Sequence, residues 1–187
     1  MKKTVLLLTM FFGLMITAMA QDGTPKRTLK VGFGTAYLDN GAYFGKQQYL
    51  DYDRRLFNFM SIGLSASRTS ASENHSNGFE QSTKAYQGDA HLFLSPVNNR
   101  VNRLKMGFGG SYRFRDHRYN TEIISGTDTL FNDELTSDRQ ESLGYSVMLA
   151  YEVFVVKHLV LGSKAAYQQY QNGDKVFFWG LNAGLRF

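Results

Sequence analysis

Three features of the sequence predict an all-β fold, an eight-stranded antiparallel transmembrane β-barrel. Apolar and polar residues alternate with period two in many separate segments, which puts the two sets on opposite faces of strands. After residue 20 the richest apolar window, Val176 to Leu181, is far shorter than the roughly 20 residues a spanning helix requires. The first 20 residues have the form of an export signal.

That leader has three zones. Lys2 and Lys3 begin it, an apolar stretch runs from Val5 to Ile16, and Ala18-Met19-Ala20 puts small residues at both cleavage positions before Gln21. The pattern predicts a secretory signal peptide over 1–20, cleaved on export, and a barrel domain over 21–187. An uncleaved anchor is the alternative, but the apolar core is short for one.

Composition narrows the remaining classes. At 187 residues the chain suits one domain. With 20% charged and 14% aromatic residues it is not a disordered chain. The absence of Cys excludes a disulfide scaffold, a Cys-ligated metal site, a thiol nucleophile and a lipid-anchored N-terminal cysteine. The formal charge of +5 includes Lys2 and Lys3 of the leader, so it is weak evidence for an acidic partner, and no nucleic-acid partner is expected.

The strands follow in order. Leu29, Val31, Phe33, Thr35 and Tyr37 oppose Lys30, Gly32, Gly34 and Ala36. The stretch 42–52 is the weakest, with Phe44, Leu50 and Tyr52 sharing a parity with Lys46 and Gln48. Over 58–66, Met60, Ile62, Leu64 and Ala66 oppose Phe59, Ser61, Gly63 and Ser65. Over 86–94, Tyr86, Gly88, Ala90, Leu92 and Leu94 oppose Gln87, Asp89, His91 and Phe93.

The second half is clearer. From 104 to 115, Leu104, Met106, Phe108, Tyr112 and Phe114 stand against Lys105, Gly107, Gly109, Ser111, Arg113 and Arg115. From 143 to 155, Leu143, Tyr145, Val147, Leu149 and Tyr151 stand against Gly144, Ser146, Ala150 and Glu152. Over 159–167, Leu159, Leu161 and Tyr167 oppose Gly162, Lys164 and Ala166, and over 177–187 Phe177, Trp179, Leu181, Leu185 and Phe187 oppose Gly180, Asn182 and Arg186. Each segment has about 9–13 residues, the length a tilted membrane strand requires.

Connections near 53–56, 95–103 and 157–158 are short or moderate, whereas 70–81 and 119–139 are long and polar; 39–41 and 172–174 are tight Asn/Gly turns. A short-turn end and a long-loop end fit periplasmic turns and extracellular loops, with both termini in the periplasm. A soluble barrel would also alternate. Its apolar face would point inward and need bulk, yet here glycine and charge fill one parity and aromatics crowd the strand ends of the other, as lumen and lipid surface do.

Together these residues carry a resemblance. The signal peptide, eight alternating strands and terminal Leu185-Arg186-Phe187 resemble small Gram-negative outer membrane β-barrel proteins. The stretch Tyr49-Leu-Asp-Tyr-Asp-Arg-Arg-Leu-Phe-Asn-Phe-Met-Ser-Ile-Gly-Leu-Ser-Ala is similar to the outer membrane protein beta-barrel domain families common in Bacteroidetes, relatives in form of the transmembrane domain of outer membrane protein A. The resemblance implies outer membrane localisation, contact with outer membrane lipids, lipopolysaccharide among them, and passage through the barrel assembly machinery. Leu185 and Phe187 match the last two places of that class's C-terminal assembly signal, while Asn182 and Gly180 depart from its usual Gly and polar residue.

The inward parity offers lumen ion-pair candidates: Asp89, Lys105, Arg113, Arg115, Glu152, Lys164 and Arg186, with His91 among them. The interior of an eight-stranded barrel is just wide enough for side chains to fill, and unpaired buried charges are costly, so these groups are expected to pair into a plug. No catalytic, cofactor or metal site is expected. Asp116-His117 near Ser111 is the nearest to a hydrolase set, but sequence neighbours face opposite sides of a strand and Ser111 lies about 20 Å away along it. Gly107 with Gly109-Gly110 sits inside a strand with no helix after it, unlike a phosphate loop. Arg113, Arg115 and Arg118 near the outer rim suit either a solvated edge or lipopolysaccharide phosphates.

The function expected is a monomeric, structural or surface-exposed, non-enzymatic outer membrane barrel, ending at the barrel without a peptidoglycan-binding domain. The alternatives are a narrow pore or small-molecule conduit and, behind it, a lipid A or phospholipid hydrolase. The acidic stretch 119–139, with apolar Ile123, Ile124, Leu130 and Phe131, is expected on the outer side, either as a solvated hairpin tip or as a recognition surface.

Overall fold

Alternating side chains make each strand two-faced, and eight such strands can hide one face only by closing into a ring. The computed structural model describes residues 26–38, 43–74, 80–125 and 128–187; the leader and the turn at 39–41 lie outside them. The eight strands are β1 (Arg27–Leu38), β2 (Tyr43–Arg55), β3 (Met60–Asn74), β4 (Glu80–Asn98), β5 (Asn102–Ser125), β6 (Asp128–Phe154), β7 (Leu159–Tyr170) and β8 (Lys175–Arg186). Each pairs antiparallel with the next, and β8 returns to β1 to close the barrel. This is the fold class the alternation predicts.

Closure is carried through to the last residue. Leu29 of β1 stands opposite Leu185 of β8, and Leu185 also faces Leu159 of β7. The Phe187 carbonyl accepts from the Lys26 and Arg27 amides at 3.2 and 2.9 Å, and its amide donates to the Arg27 carbonyl at 3.0 Å. With no open sheet edge here, the backbone polar groups of the terminal strand are satisfied within the ring.

The two faces separate as the sequence indicates. Phe33 and Phe108 point outward and stay 69% and 65% exposed, whereas Lys105 and Glu152 point inward and are wholly buried. A water-soluble barrel would invert this arrangement. Tyr37 packs on Phe44 and Phe177, with ring centroids 4.6 and 6.0 Å apart, at the end away from the chain termini. Phe57 stacks on Phe59 at 6.0 Å in the short turn at the other end. Aromatic residues thus border the outer apolar band on both sides, as in transmembrane barrels.

Several expected boundaries are corrected. The turn placed at 53–56 lies at 56–59, because β2 continues to Arg55 and pairs Arg55 with Ser61. The connection 95–103 shrinks, since β4 reaches Asn98 and β5 starts at Asn102. The ladder shifts register between Leu94 and Val97, which accommodates Pro96 and its missing N–H. The long connections 70–81 and 119–139 are mostly strand: β3 pairs with β4 as far as Asn74 and Glu80, and β5 pairs with β6 as far as Ser125 and Asp128, past a second register shift near Asn120. Beyond the apolar band a hairpin needs no apolar face, so its alternation fades while its backbone pairing persists.

Glycines allow β1 and β8 to approach closely at Gly34 and Gly180, which face each other. A Cβ on Gly34 would strike the Trp179 carbonyl oxygen and come within 2.8 Å of the Phe178 ring. In the turn between β7 and β8, Gly173 takes a φ of 89°, a left-handed value glycine adopts without strain. A Gly34→Val variant is expected to lose about 1–3 kcal/mol of stability by overpacking. Urea-dependent refolding into lipid vesicles measures this; a midpoint equal to the wild type would contradict the close packing.

Candidate functional site: the barrel lumen

The ring brings inward-facing charges from strands distant in sequence to one place. Near the short-turn end, the Glu152 carboxylate receives Lys30 at 2.7 Å and Lys105 at 2.6 Å. It also accepts from the Arg103 guanidinium at 3.0 and 2.7 Å. Asp53 receives the same two ammonium groups, Lys30 at 2.6 Å and Lys105 at 2.7 Å. Two carboxylates and three cations, all buried, therefore form one shared lattice on β1, β2, β5 and β6. Each lysine bridges both carboxylates.

Above this lattice a second centre pairs Lys164 with Asp51 at 2.8 and 3.0 Å, while the Ser65 hydroxyl donates to the same carboxylate at 2.6 Å. The Lys164 ammonium also lies 3.8 Å from the Tyr49 ring centre, a cation–π contact strengthened by the lack of water. Tyr49 donates to the Leu181 carbonyl and accepts from the Asn182 amide, both at 3.1 Å, and packs edge-on against Phe178 at 5.2 Å. The ring lies within van der Waals contact of Gly32, so a glycine parity in the wall makes room for an aromatic in the lumen.

Nearer the long-strand end, Asp89 accepts from the Gln87 side-chain amide at 3.1 and 3.2 Å and from that of Gln168 at 3.2 Å. Ser111 and the Tyr170 hydroxyl bond at 2.9 Å. Arg113 pairs with Asp174 and lies 4.2 Å from the Tyr170 ring centre, and Arg115 reaches the same carboxylate at 2.9 Å. Just outside the apolar band, Ser137 and Arg118 donate to Asp116 and hold its carboxyl below the usual carboxylate range.

Of the sequence candidates, Lys105, Glu152 and Lys164 thus sit in the buried ion-pair centres, Arg113 and Arg115 share Asp174, and Asp89 is held by amides rather than by a cation at ion-pair distance. Arg186, the last residue of β8, follows the inward parity and is half-buried at the rim of the short-turn end, with its guanidinium 3.8 Å from the Phe154 ring centre. Leu185 and Phe187 occupy the closing strand described above.

Among the described residues, five charged partners lie outside the sequence candidates: Lys30, Asp51, Asp53, Arg103 and Asp174. Lys30 has the inward parity of β1. Asp51 lies in the strand with the weakest alternation. Asp53, Arg103 and Asp174 lie in stretches whose sequence suits connections. The signal available for Asp51 and Asp53 was their spacing, two residues apart on the parity of Tyr49.

The possible hydrolase residues do not assemble. Ser111 bonds Tyr170, Asp116 faces outward, and the His117 ring bonds the Thr83 hydroxyl at 2.7 Å. A different pair, His91 of β4 and Ser146 of β6, does bond on the lumen side, over Gly109 of the strand between them. Both are buried, and the His91 ring lies 5.5 Å from that of Phe93.

No protein-family model matches the chain, and no curated protein matches it. Solved structures do. Ail, the attachment invasion locus protein of Yersinia pestis, is 15% identical, with a TM-score of 0.61 over 88% of this chain and 100% of Ail. Neisserial surface protein A is 13% identical, with a TM-score of 0.60 over 89% of this chain and 100% of its own. The outer membrane protein OprG of Pseudomonas aeruginosa is 12% identical, with a TM-score of 0.62 over 88% of this chain and 96% of OprG.

Removing Glu152 would leave Lys30 and Lys105 with Asp53 alone and take from Arg103 the lattice carboxylate it bonds. A Glu152→Gln variant is expected to lose about 3–5 kcal/mol, the scale of a broken buried pair. The double variant Glu152→Met with Lys105→Met should recover much of that loss in the same urea titration. A single variant as stable as the wild type would show that the lattice does not hold the barrel. The small outer membrane β-barrel is the fold that this ring and these structural likenesses share.

Proposed function

We propose that the chain is a monomeric, non-enzymatic outer membrane β-barrel protein of structural, surface-exposed type, with a lumen closed by its own side chains. The observation that carries this is the charge lattice. Lys30, Arg103, Lys105, Asp53 and Glu152 are buried and mutually bonded across the barrel. An ion crossing would have to displace groups that neutralise one another, and the low-polarity surroundings make that costly.

The apolar exterior supports lipid as the surrounding medium, and with it a location in the outer membrane in contact with its lipids, lipopolysaccharide included. Export through a cleaved 1–20 leader fits this location. The closing strand, with Leu185 and Phe187, is the part the barrel assembly machinery would recognise. The turns at 56–59, 99–101 and 155–158, residue 26 and Phe187 share one end of the barrel, which we assign to the periplasm. The extended β5–β6 hairpin then stands outside the cell.

Two observations count against hydrolysis. A nucleophile must be reachable by substrate and hydrogen-bonded to its base, and His91 and Ser146 are buried in the packed interior. The exposed-rim residues Asp116 and His117 serve other partners.

Planar-bilayer recordings test the closed lumen: the purified barrel should add no discrete channel steps, and reproducible steps from the wild type would overturn the plug in favour of a pore. A short epitope inserted between Ser125 and Asp128 should be reached by antibody on intact cells. Access only after the outer membrane is breached would mean the inverse orientation.

A further inference from the structure

The outer wall carries a cluster of cations that the lumen chemistry does not use. On the outward face, Lys46 of β2 stands opposite Ser70 of β3, and Ser70 stands opposite Lys84 of β4. One outward row nearer the membrane centre, Arg68 lies between Gln48 and Tyr86. With strands about 5 Å apart and residues about 3.3 Å apart along them, the three backbones mark a triangle about 10 Å wide and 7 Å deep. All three side chains are exposed. None has an ion-pair partner among the described residues, although Arg68 lies 5.8 Å from the Tyr86 ring centre.

Three features point to the ligand. The cluster stands at the long-strand end, where the aromatic border of Tyr37, Phe44 and Tyr86 marks the top of the apolar band. It is the height at which lipid headgroups meet the protein. Below Arg68, an apolar hollow in the outer wall is lined by Val31, Phe33, Leu50, Ala66 and Leu181, with Arg68 at its edge. Ala66 supplies the depth among larger side chains. Charge continues along the same register row: Asp116 stands opposite Lys84 and Arg139 opposite Asp116, and Arg118 bonds Asp116 at 3.1 Å. Cations therefore exceed carboxylates along this stretch, more than one phosphate monoanion balances.

We propose that Lys46, Arg68 and Lys84 form a phosphate clamp for a phosphorylated glycolipid of the lipid A class, with an acyl chain of that lipid lying in the hollow below. Guanidinium and ammonium groups are the strong partners for phosphate oxygens, and the carboxylate beside the clamp, Asp116 opposite Lys84, is bonded by Arg118 and Ser137 instead. Tyr86 beside Arg68 and the apolar wall beneath it match the passage from headgroup to chain. The clamp rests on the outer membrane reading and gives one lipid a fixed seat on one side of the barrel, on β2, β3 and β4.

The purified barrel in non-ionic detergent can be titrated with diphosphoryl lipid A, and bound lipid counted by native mass spectrometry. Lipid A should bind at low stoichiometry, and a variant combining Lys46→Gln, Arg68→Gln and Lys84→Gln should bind about tenfold or more weakly, the scale of one lost charge-assisted contact. A control combining Arg54→Gln, Arg100→Gln and Lys157→Gln, exposed cations toward the short-turn end, should bind as the wild type does. Lipid A stripped of its phosphates should bind as weakly to the wild type as intact lipid A does to the clamp variant. Equal binding by the clamp variant, equal loss in the control, or equal affinity for phosphatidylglycerol would overturn the proposal. All samples are first checked for the gel shift between unheated and heated barrel. A folded wild type that lacks that shift and stays in solution without detergent would overturn the outer membrane reading itself.

Discussion

Closing eight strands into a ring confines their inward side chains to a space that admits little else. A polar inward parity in that space must neutralise itself, because a buried charge without a partner costs several kcal/mol. The lattice around Glu152 and Asp53 meets this constraint by sharing. Lys30 and Lys105 each bridge both carboxylates, so the loss of Glu152 takes a partner from three cations at once. The lattice draws on β1, β2, β5 and β6, and it fastens opposite arcs of the wall across the lumen.

The same constraint explains the placement of small and aromatic residues inside. Gly32 makes room for Tyr49, and Gly63 and Gly107 lie against Phe93. These rings lie beside cations: Lys164 at Tyr49 and Lys105 at Phe93, 3.8 and 4.6 Å from the ring centres. Glycine in the wall, aromatic in the lumen and ammonium on the aromatic face form one recurrent unit. It fills volume and offsets the desolvation of a lysine at once. A purely apolar filling would close the barrel as well but would leave the inward charges without partners.

How far this could be read in advance depended on where alternation was visible. Leu104 to Phe114 and Phe177 to Phe187 read clearly because lipid selects apolar residues at every second position there. Tyr43 to Arg55 read poorly because Lys46 and Gln48 lie on its lipid-facing parity, close to the headgroup level, where a polar residue is tolerated. That weakness hid Asp51, and a turn placed too early hid Asp53. The pairing of the charges was invisible for another reason. Lys30 and Glu152 are 122 residues apart, and only the register of a closed ring fixes which inward residues share a height. Outside the membrane, the β5–β6 hairpin keeps its backbone ladder without a two-faced sequence, so its polar composition read as loop.

Lys46, which blurs the alternation of β2, and Arg68 on the next strand are also the residues with most to say about the exterior. An outward cation in the middle of a lipid-facing wall would be expensive, since charge at the centre of the apolar layer costs several kcal/mol. Near the interface that cost falls close to zero, and a phosphate there turns it into attraction. The inner and outer cations therefore obey one rule under different supplies of anion. Lys30, Lys105 and Lys164 have carboxylates from the chain itself. Lys46, Arg68 and Lys84 face outward, where the Asp116 carboxylate opposite Lys84 is bonded by Arg118 and Ser137 and the surrounding lipid is the further source of negative charge.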